Sequence, residues 1–267
     1  MTAPALILLA HGSTEPHQNA ALHQLRVQMQ QARPELNVNL AFIDRCPPSG
    51  PAVVQALASR GVREMVFVPL DLTHAVEADE QAHELLQRVR IAHPEIAFTM
   101  SRPLGPATDL LNVLDVRLRE ALRQSHATEV DALVLSTSTS GDTRGNALVA
   151  RRARQWASHH RLPVLVAVTD GAGPGVVQAM ASLRAQGRRH IAVGSFFIAG
   201  DEGFSTQREA AIAAGAEAVS APMGGHEFIL DLVMARYAYA AMELLDAATT
   251  AQEPQEPAEI PLDAISL

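Results

Sequence analysis

Cysteine is almost missing from this sequence. Cys46 is the single one in 267 residues, which excludes an intrachain disulfide and any metal site built on a cysteine cluster. Aromatic residues make up only 4% of the chain, so the core must be assembled from Ala, Val, Leu and Ile. No apolar run is long enough to span a bilayer, and no basic segment precedes the first one, so neither a membrane anchor nor a signal peptide is expected and the protein is placed in the cytoplasm. A basic face is lacking too: 21 basic side chains stand against 29 acidic ones, a net charge of −8, which argues against a nucleic-acid partner. The close group Arg151, Arg152 and Arg154 falls within a helical pattern and reads as a solvated face. Nucleotide signatures are also wanting. The hydroxyl-rich Ser136–Gly141 loop has no Gly-x-x-x-x-Gly-Lys pattern, although it could hold an anion at a helix start. Gly171-Ala-Gly-Pro-Gly175 fails the Gly-x-Gly-x-x-Gly pattern at its last position and reads as a tight turn.

What is present is an ordinary globular composition, 48% hydrophobic and 19% charged, with a regular alternation of short apolar runs and helix-length segments. Strands are expected at Ala5–Ala10, Val38–Ile43, Met65–Leu72 and Ile96–Met100. The helices between and after them are Asn19–Ala32, Pro51–Ser59, Glu77–Ala92 and Ala107–Arg123. After a polar connection the pattern starts again. Strands fall at Leu133–Leu135, Val164–Val168, Ile191–Ile198 and Ala218–Ala221, with helices at Asn146–His159, Val176–Ala185, Ser205–Ala214 and His226–Leu245. Near-continuous apolar strands alternating with helices imply an α/β fold with doubly wound, three-layer parallel sheets.

The two halves repeat each other. His11-Gly-Ser-Thr-Glu-Pro-His-Gln-Asn19 lies over Ser138-Thr-Ser-Gly-Asp-Thr-Arg-Gly-Asn146, and the segment ending in Asp44 lies over the one ending in Asp170. Val53-Val-Gln-Ala-Leu57 matches Val176-Val-Gln-Ala-Met180, and Pro103-Leu-Gly105 matches Pro222-Met-Gly224, all at nearly constant spacing. Residues 1–125 and 130–246 are therefore read as two duplicated lobes forming a pseudo-twofold monomer, with 247–267 as a flexible acidic tail.

Ligands of open α/β sheets sit outside the carboxyl ends of the strands. In the first lobe those ends carry His11, Asp44 and the run Asp71, His74, Glu77 and Asp79. A histidine with two or three carboxylates can hold a divalent ion, or move protons near neutral pH. The equivalent residues of the second lobe are Ser138, Asp170 and Gly203, with Gly200 at the His74 position, so the reactive site is assigned to the first lobe. His17, His23, His83 and His93 read as surface residues. His159 and His160 read as a helix end favoured by the dipole, and His226 as a residue within reach of a shared cleft.

The chain resembles the class II tetrapyrrole chelatases, in their two-lobed form. The motifs are Ala10-His11-Gly12-Ser13 with Asn19, Phe42-Ile-Asp44, Val68-Pro69-Leu70 and Arg102-Pro-Leu-Gly-Pro106. In the second half they are Ser195-Phe-Phe-Ile-Ala199, Ser220-Ala-Pro-Met-Gly224 with His226, and Ala235-Arg-Tyr237. The resemblance implies insertion of Co²⁺ or Fe²⁺, as substrate, into sirohydrochlorin or a related tetrapyrrole of siroheme or cobalamin biosynthesis. His11 would take part in metal delivery and deprotonation, and Asp44 would be an acidic ligand. The family's second histidine slot is held here by Glu77, with His74 three residues early, so His74 and Glu77 compete for that role as catalytic residue and ligand. Ser13, Arg45, Arg102 and Ser138, with Arg144, are expected to hold the macrocycle and its carboxylates. The alternative is a protein that binds a tetrapyrrole or metal on the same scaffold without insertion.

Overall fold

The computed structural model describes residues 3–14, 16–138, 141–169 and 171–252. The first lobe holds β1 (Ala5–Ala10), β2 (Val38–Phe42), β3 (Glu64–Pro69) and β4 (Ala97–Met100), in the order β2-β1-β3-β4. The second holds β5 (Ala132–Thr137), β6 (Val164–Val168), β7 (Ile191–Phe196) and β8 (Ala218–Val219), in the order β6-β5-β7-β8. Every pairing is parallel. The helices are α1 (Pro16–Ala32), α2 (Gly50–Ala58), α3 (Glu80–Ala92), α4 (Leu110–Gln124), α5 (Thr143–His160), α6 (Val176–Ala185), α7 (Glu202–Ala213) and α8 (Glu227–Gln252). This is the two-lobed α/β architecture that the strand pattern implies. The duplication is visible in the register: Leu8 lies between Leu40 and Val68 as Leu135 lies between Val166 and Gly194. β1 and β5 are buried at every position, because helices cover both faces; β1 is correspondingly apolar throughout, and β5 is apolar up to the buried Ser136 and Thr137 at its carboxyl end.

Three helices are capped by an aspartate side chain. Asp79 Oδ1 accepts from the Ala82 N–H (2.8 Å), Asp142 Oδ1 from Gly145 (2.5 Å) and Asp201 Oδ1 from Phe204 (2.6 Å). These caps move α3 to Glu80 from the expected Glu77, and α7 to Glu202 from the expected Ser205. β8 stops at Val219 and not at Ala221, since Ser220 leaves the strand to exchange hydrogen bonds with Ser195 through both side chains (2.8 and 2.7 Å). α8 continues to Gln252, so 247–252 are helical where a tail was expected. The remainder of that tail, 253–267, lies outside the described residues, as does Asp170.

The last helix of each half lies on the other half's sheet. α4 packs on β7 and β8, and α8 packs on β3 and β4. The division at 125–130 therefore separates the sequence but not the packing: in space, 110–124 belong with the second sheet and the final helix with the first. Leu110, Val113, Leu114 and Leu118 of α4 share one apolar cluster with Trp156 and Phe196 of the second lobe and with Ile229, Val233 and Tyr237 of α8. Paired arginines lock the exchange. Arg117 of α4 donates to the Met223 carbonyl through Nε (3.2 Å) and Nη2 (2.9 Å). Arg236 of α8 donates to the Pro103 and Leu104 carbonyls (2.9 and 3.1 Å). Each guanidinium satisfies the turn that the Pro-x-Gly repeat forms in the opposite lobe.

Gly194 tests this arrangement. A Cβ there would lie 2.6 Å from the Trp156 ring and 3.1 Å from Leu114. Valine suits a strand intrinsically, so any loss in Gly194→Val reports the approach of α4 and α5. The expected cost is about 1–3 kcal/mol, read as a lowered urea midpoint at unchanged slope. An unaltered midpoint would mean that these helices do not press on β7.

Candidate metal and proton site

In a parallel sheet of order β2-β1-β3-β4 the strand succession changes direction between β1 and β3, and the loops leaving these strands flank a crevice. His11 is the first residue past β1, with 48% of its side chain exposed. Its Nε2 lies 2.6 Å from Asp79 Oδ2 and its Nδ1 lies 3.3 Å from Asp44 Oδ2. Both carboxylates are anchored through their other oxygen: Asp79 by the Ala82 N–H, and Asp44 by the Gly12 N–H (3.0 Å). Gly12 has to be glycine because a Cβ would run into the Cys46 sulfur and the Asp44 carbonyl. Its smallness lets the loop after β1 lie against the loop after β2. Ser13 and Asn19 close the first loop reciprocally, Ser13 N–H to Asn19 Oδ1 (2.9 Å) and Asn19 Nδ2 to the Ser13 carbonyl (2.8 Å).

A second pair stands beside the first. His74 Nδ1 is 2.5 Å from Asp71 Oδ2, and Asp71 Oδ1 accepts from the Thr73 N–H (2.7 Å) and hydroxyl (2.8 Å). Asp79 lies close enough to His74 to feel its charge as well as that of His11. The connection from Pro69 to Asp79 is longer than its counterpart from Ser195 to Asp201, and the added chain carries His74. This loop is held from the other lobe. Asp142, while capping α5, accepts through Oδ2 from the Ala75 and Val76 N–H groups (3.1 and 3.2 Å). The Thr73 carbonyl rests on Gly141 and Gly145, and a Cβ on either glycine would overlap it. Arg45, past β2, adds a second bridge between the lobes through Glu202 (3.2 Å).

The electrostatics follow from the pairing. The hydrogen bond to Asp79, reinforced by the charges of Asp79 and Asp44, raises His11 from 6.5 to about 9 against the opposing effect of burial. Burial acts to raise Asp79, but the His11 and Ala82 hydrogen bonds outweigh it and the carboxyl ends below its ordinary value. Asp71 raises His74 in the same way. With both ring nitrogens facing carboxylates, His11 is an imidazolium at neutral pH. A raised histidine contributes stability that is complete below pH 6.5 and fades as the pH climbs through 9. Asp79→Asn keeps a capping side chain but removes the charge. The difference in Tm between the two metal-free proteins should therefore be largest between the carboxylate range, where Asp79 itself becomes protonated, and pH 6.5, and disappear above 9. A difference that does not change with pH would remove the ion pair from the account.

Glu77 is exposed and belongs to neither pair; the carboxylate that reaches His11 is Asp79, two residues on. Arg102 is exposed beyond β4, where Arg236 feels its charge. Arg144 is exposed in the first turn of α5. Ser138 is the first residue past β5, and its carbonyl accepts from the Thr169 N–H (3.0 Å) and hydroxyl. Ser13 is buried in the loop that Asn19 closes. The sequence places Asp71 and Asp79 in the run at the β3 end without giving either a role of its own, and it assigns nothing to Asp142, Gly141 or Gly145. For Asp79 and Asp142 the available signal was an aspartate directly before a helical pattern, since one oxygen of a cap is free for other work.

The donors are imidazole nitrogens and carboxylate oxygens, a set that suits Co²⁺ and Fe²⁺. They stand as two pairs, with His11 between Asp44 and Asp79, and do not form a closed cage. An open set of this kind can take up an ion and give it away.

Comparison with known proteins gives one consistent picture. Residues 5–121 match the CbiX family. The sirohydrochlorin cobaltochelatase of Methanopyrus kandleri is 26% identical over 82 residues, which is 31% of this chain and 57% of that protein. The chain thus spans just over half the length of the curated relative it matches. Among solved structures, SirB from Bacillus subtilis subspecies spizizenii in complex with cobalt superposes with a TM-score of 0.69 at 15% identity, over 90% of this chain and 96% of that one. CbiX, described as the terminal enzyme for biosynthesis of siroheme in denitrifying bacteria, gives 0.60 at 19% identity, over 91% and 99%. These structural likenesses are likenesses of fold. No helix among the described residues is long and apolar enough to cross a membrane.

Proposed function

Residues 5–121 match the CbiX family and nine-tenths of the chain superposes on a two-lobed chelatase fold, and from this premise we propose that the protein inserts Co²⁺ or Fe²⁺ into sirohydrochlorin or a closely related tetrapyrrole, in the cytoplasm, for siroheme or cobalamin synthesis. The observation that carries the proposal is His11 at the β1 end, clasped between Asp79 and Asp44. The curated relative is named a sirohydrochlorin cobaltochelatase and SirB was solved with cobalt; the same ion class is assigned here because the donors suit it.

Insertion needs two inner N–H protons to leave as a divalent cation arrives. The cation, as substrate, competes with the proton that His11 carries. As it approaches, the imidazolium gives up that proton and one ring nitrogen becomes a ligand, while the other stays hydrogen-bonded to a carboxylate that fixes the ring. The proton that His11 releases leaves to solvent; when the ion passes on to the macrocycle, the ring nitrogen it vacates accepts one of the two inner protons and the other leaves to solvent. Asp44 and Asp79 balance the charge throughout. For the second role the geometry favours His74 over Glu77, because Asp71 holds His74 rigidly and Glu77 is exposed. Arg45, Arg102, Arg144 and Ser138 are assigned to the tetrapyrrole's carboxylates, and Ser13 to shaping the His11 loop.

The test is a visible-absorbance assay with purified protein, sirohydrochlorin and Co²⁺ or Fe²⁺. The expected result is spectral conversion well above the uncatalysed rate. Tight macrocycle binding with no conversion under any divalent ion would replace this reading by that of a tetrapyrrole-holding protein.

A further inference from the structure

A second set of metal-ligating side chains lies away from the strand ends. Asp115 of the exchanged helix α4 and the adjacent His159 and His160 in the last turn of α5 bring their ligand atoms within 4.8 Å of one another. We propose that Asp115, His159 and His160 form a divalent-cation site of the Zn²⁺, Co²⁺ or Ni²⁺ class, which fastens α4 to the second lobe.

The carboxylate is already set up as a ligand. Asp115 is buried, and its Oδ1 accepts from the indole N–H of Trp156 (2.6 Å), a residue with no exposed surface. That hydrogen bond fixes the carboxylate and leaves Oδ2 turned toward His159 Nε2 at 3.7 Å, too far for a hydrogen bond. His160 Nε2 is 2.8 Å from Oδ1. The two imidazoles stand edge to face with ring centres 4.8 Å apart, so both offer Nε2 to one carboxylate. Hydrogen bonding explains Trp156 and His160, but it does not explain a second histidine aimed at the remaining oxygen. Nitrogen and oxygen ligands bind such ions at about 2.0–2.2 Å. His159, 66% exposed, is free to close the gap, and the outer side remains open to water ligands.

This site is separate from the one at His11. α5 starts beside the His74 loop and ends at His160, so the two lie about 25 Å apart along the helix. The ligands come from two helices, one of which reaches this lobe only through the exchange. An ion here therefore joins the two halves of the chain.

The experiment uses the full-length His11→Ala/His74→Ala protein, stripped of metal, so that the strand-end site does not contribute. Zn²⁺ binding is followed by equilibrium dialysis and by Tm. The expected result is one tightly held equivalent with a rise in Tm. His159→Ala or His160→Gln in the same background should weaken binding by about 100-fold and abolish the rise. His159 is an exposed side chain, so its replacement leaves the packing intact; circular dichroism of the metal-free variants should match the parent. Failure of the parent to hold Zn²⁺, or retention unaffected by His159→Ala and His160→Gln, would overturn the proposal.

Discussion

Replacing His11 with alanine is expected to slow metal insertion by about 10²–10⁴-fold, the range for loss of a positioned general base, while the fold is retained. His11 is half exposed at a strand end and contributes no apolar packing, so far-ultraviolet circular dichroism should be unchanged. The consequence for the metal-free protein is a repulsion: Asp44 and Asp79 lose the cation between them. Asp79→Asn should fall short of the alanine effect, because His11 stays in place with a weaker partner. The assay is the rate of the absorbance change with sirohydrochlorin and Co²⁺, measured across a range of metal concentrations. If His11→Ala turns over at the wild-type rate, His11 is neither base nor ligand and the proposed mechanism fails with it.

The second large effect is expected at a residue with no side chain. Gly145 sits in the first turn of α5, where alanine would stabilise a helix by roughly 1 kcal/mol over glycine. Its Cα nevertheless faces the Thr73 carbonyl so closely that a Cβ has no room. Gly145→Ala must push back the loop that carries Asp71 and His74. Displacing a reacting group by about 1 Å can cost about 10²-fold, so a fall in insertion rate of that order is expected although the helix itself gains. Asp142→Ala should act in the same direction by releasing the Ala75 and Val76 N–H groups that its carboxylate holds. His11 remains intact in both variants, so the proton it carries should be unaffected and its NMR titration should match the parent's. Wild-type rates in Gly145→Ala would show that the second lobe does not position His74.

The particular residues show what could be read in advance. Leu6–Leu9 and Leu133–Leu135 are buried on both faces, and a strand in that situation has to be apolar throughout, so the parallel α/β class was legible from composition along the chain. His11 and Asp44 were legible because each directly follows a strand, and the site of an open sheet lies at that edge. Asp79 was obscured by Glu77: both are acidic, and only the cap at Ala82 decides which one faces His11. Gly145 and Asp142 were hidden for a different reason. Their partner is Thr73 to Val76 in the other lobe, and nothing in local spacing announces a contact across that distance in the chain.

By itself, then, the sequence determined the strand and helix types, the duplication and the loop that holds His11. These depend on local periodicity and on neighbours along the chain. Tertiary structure alone decided that α4 covers the second sheet and α8 the first, since an apolar helix face is satisfied by either sheet. It alone chose Asp79 as the partner of His11, and it alone brought Asp115 to His159 and His160. Those outcomes rest on where separate segments meet, which is set by the packing of the whole core.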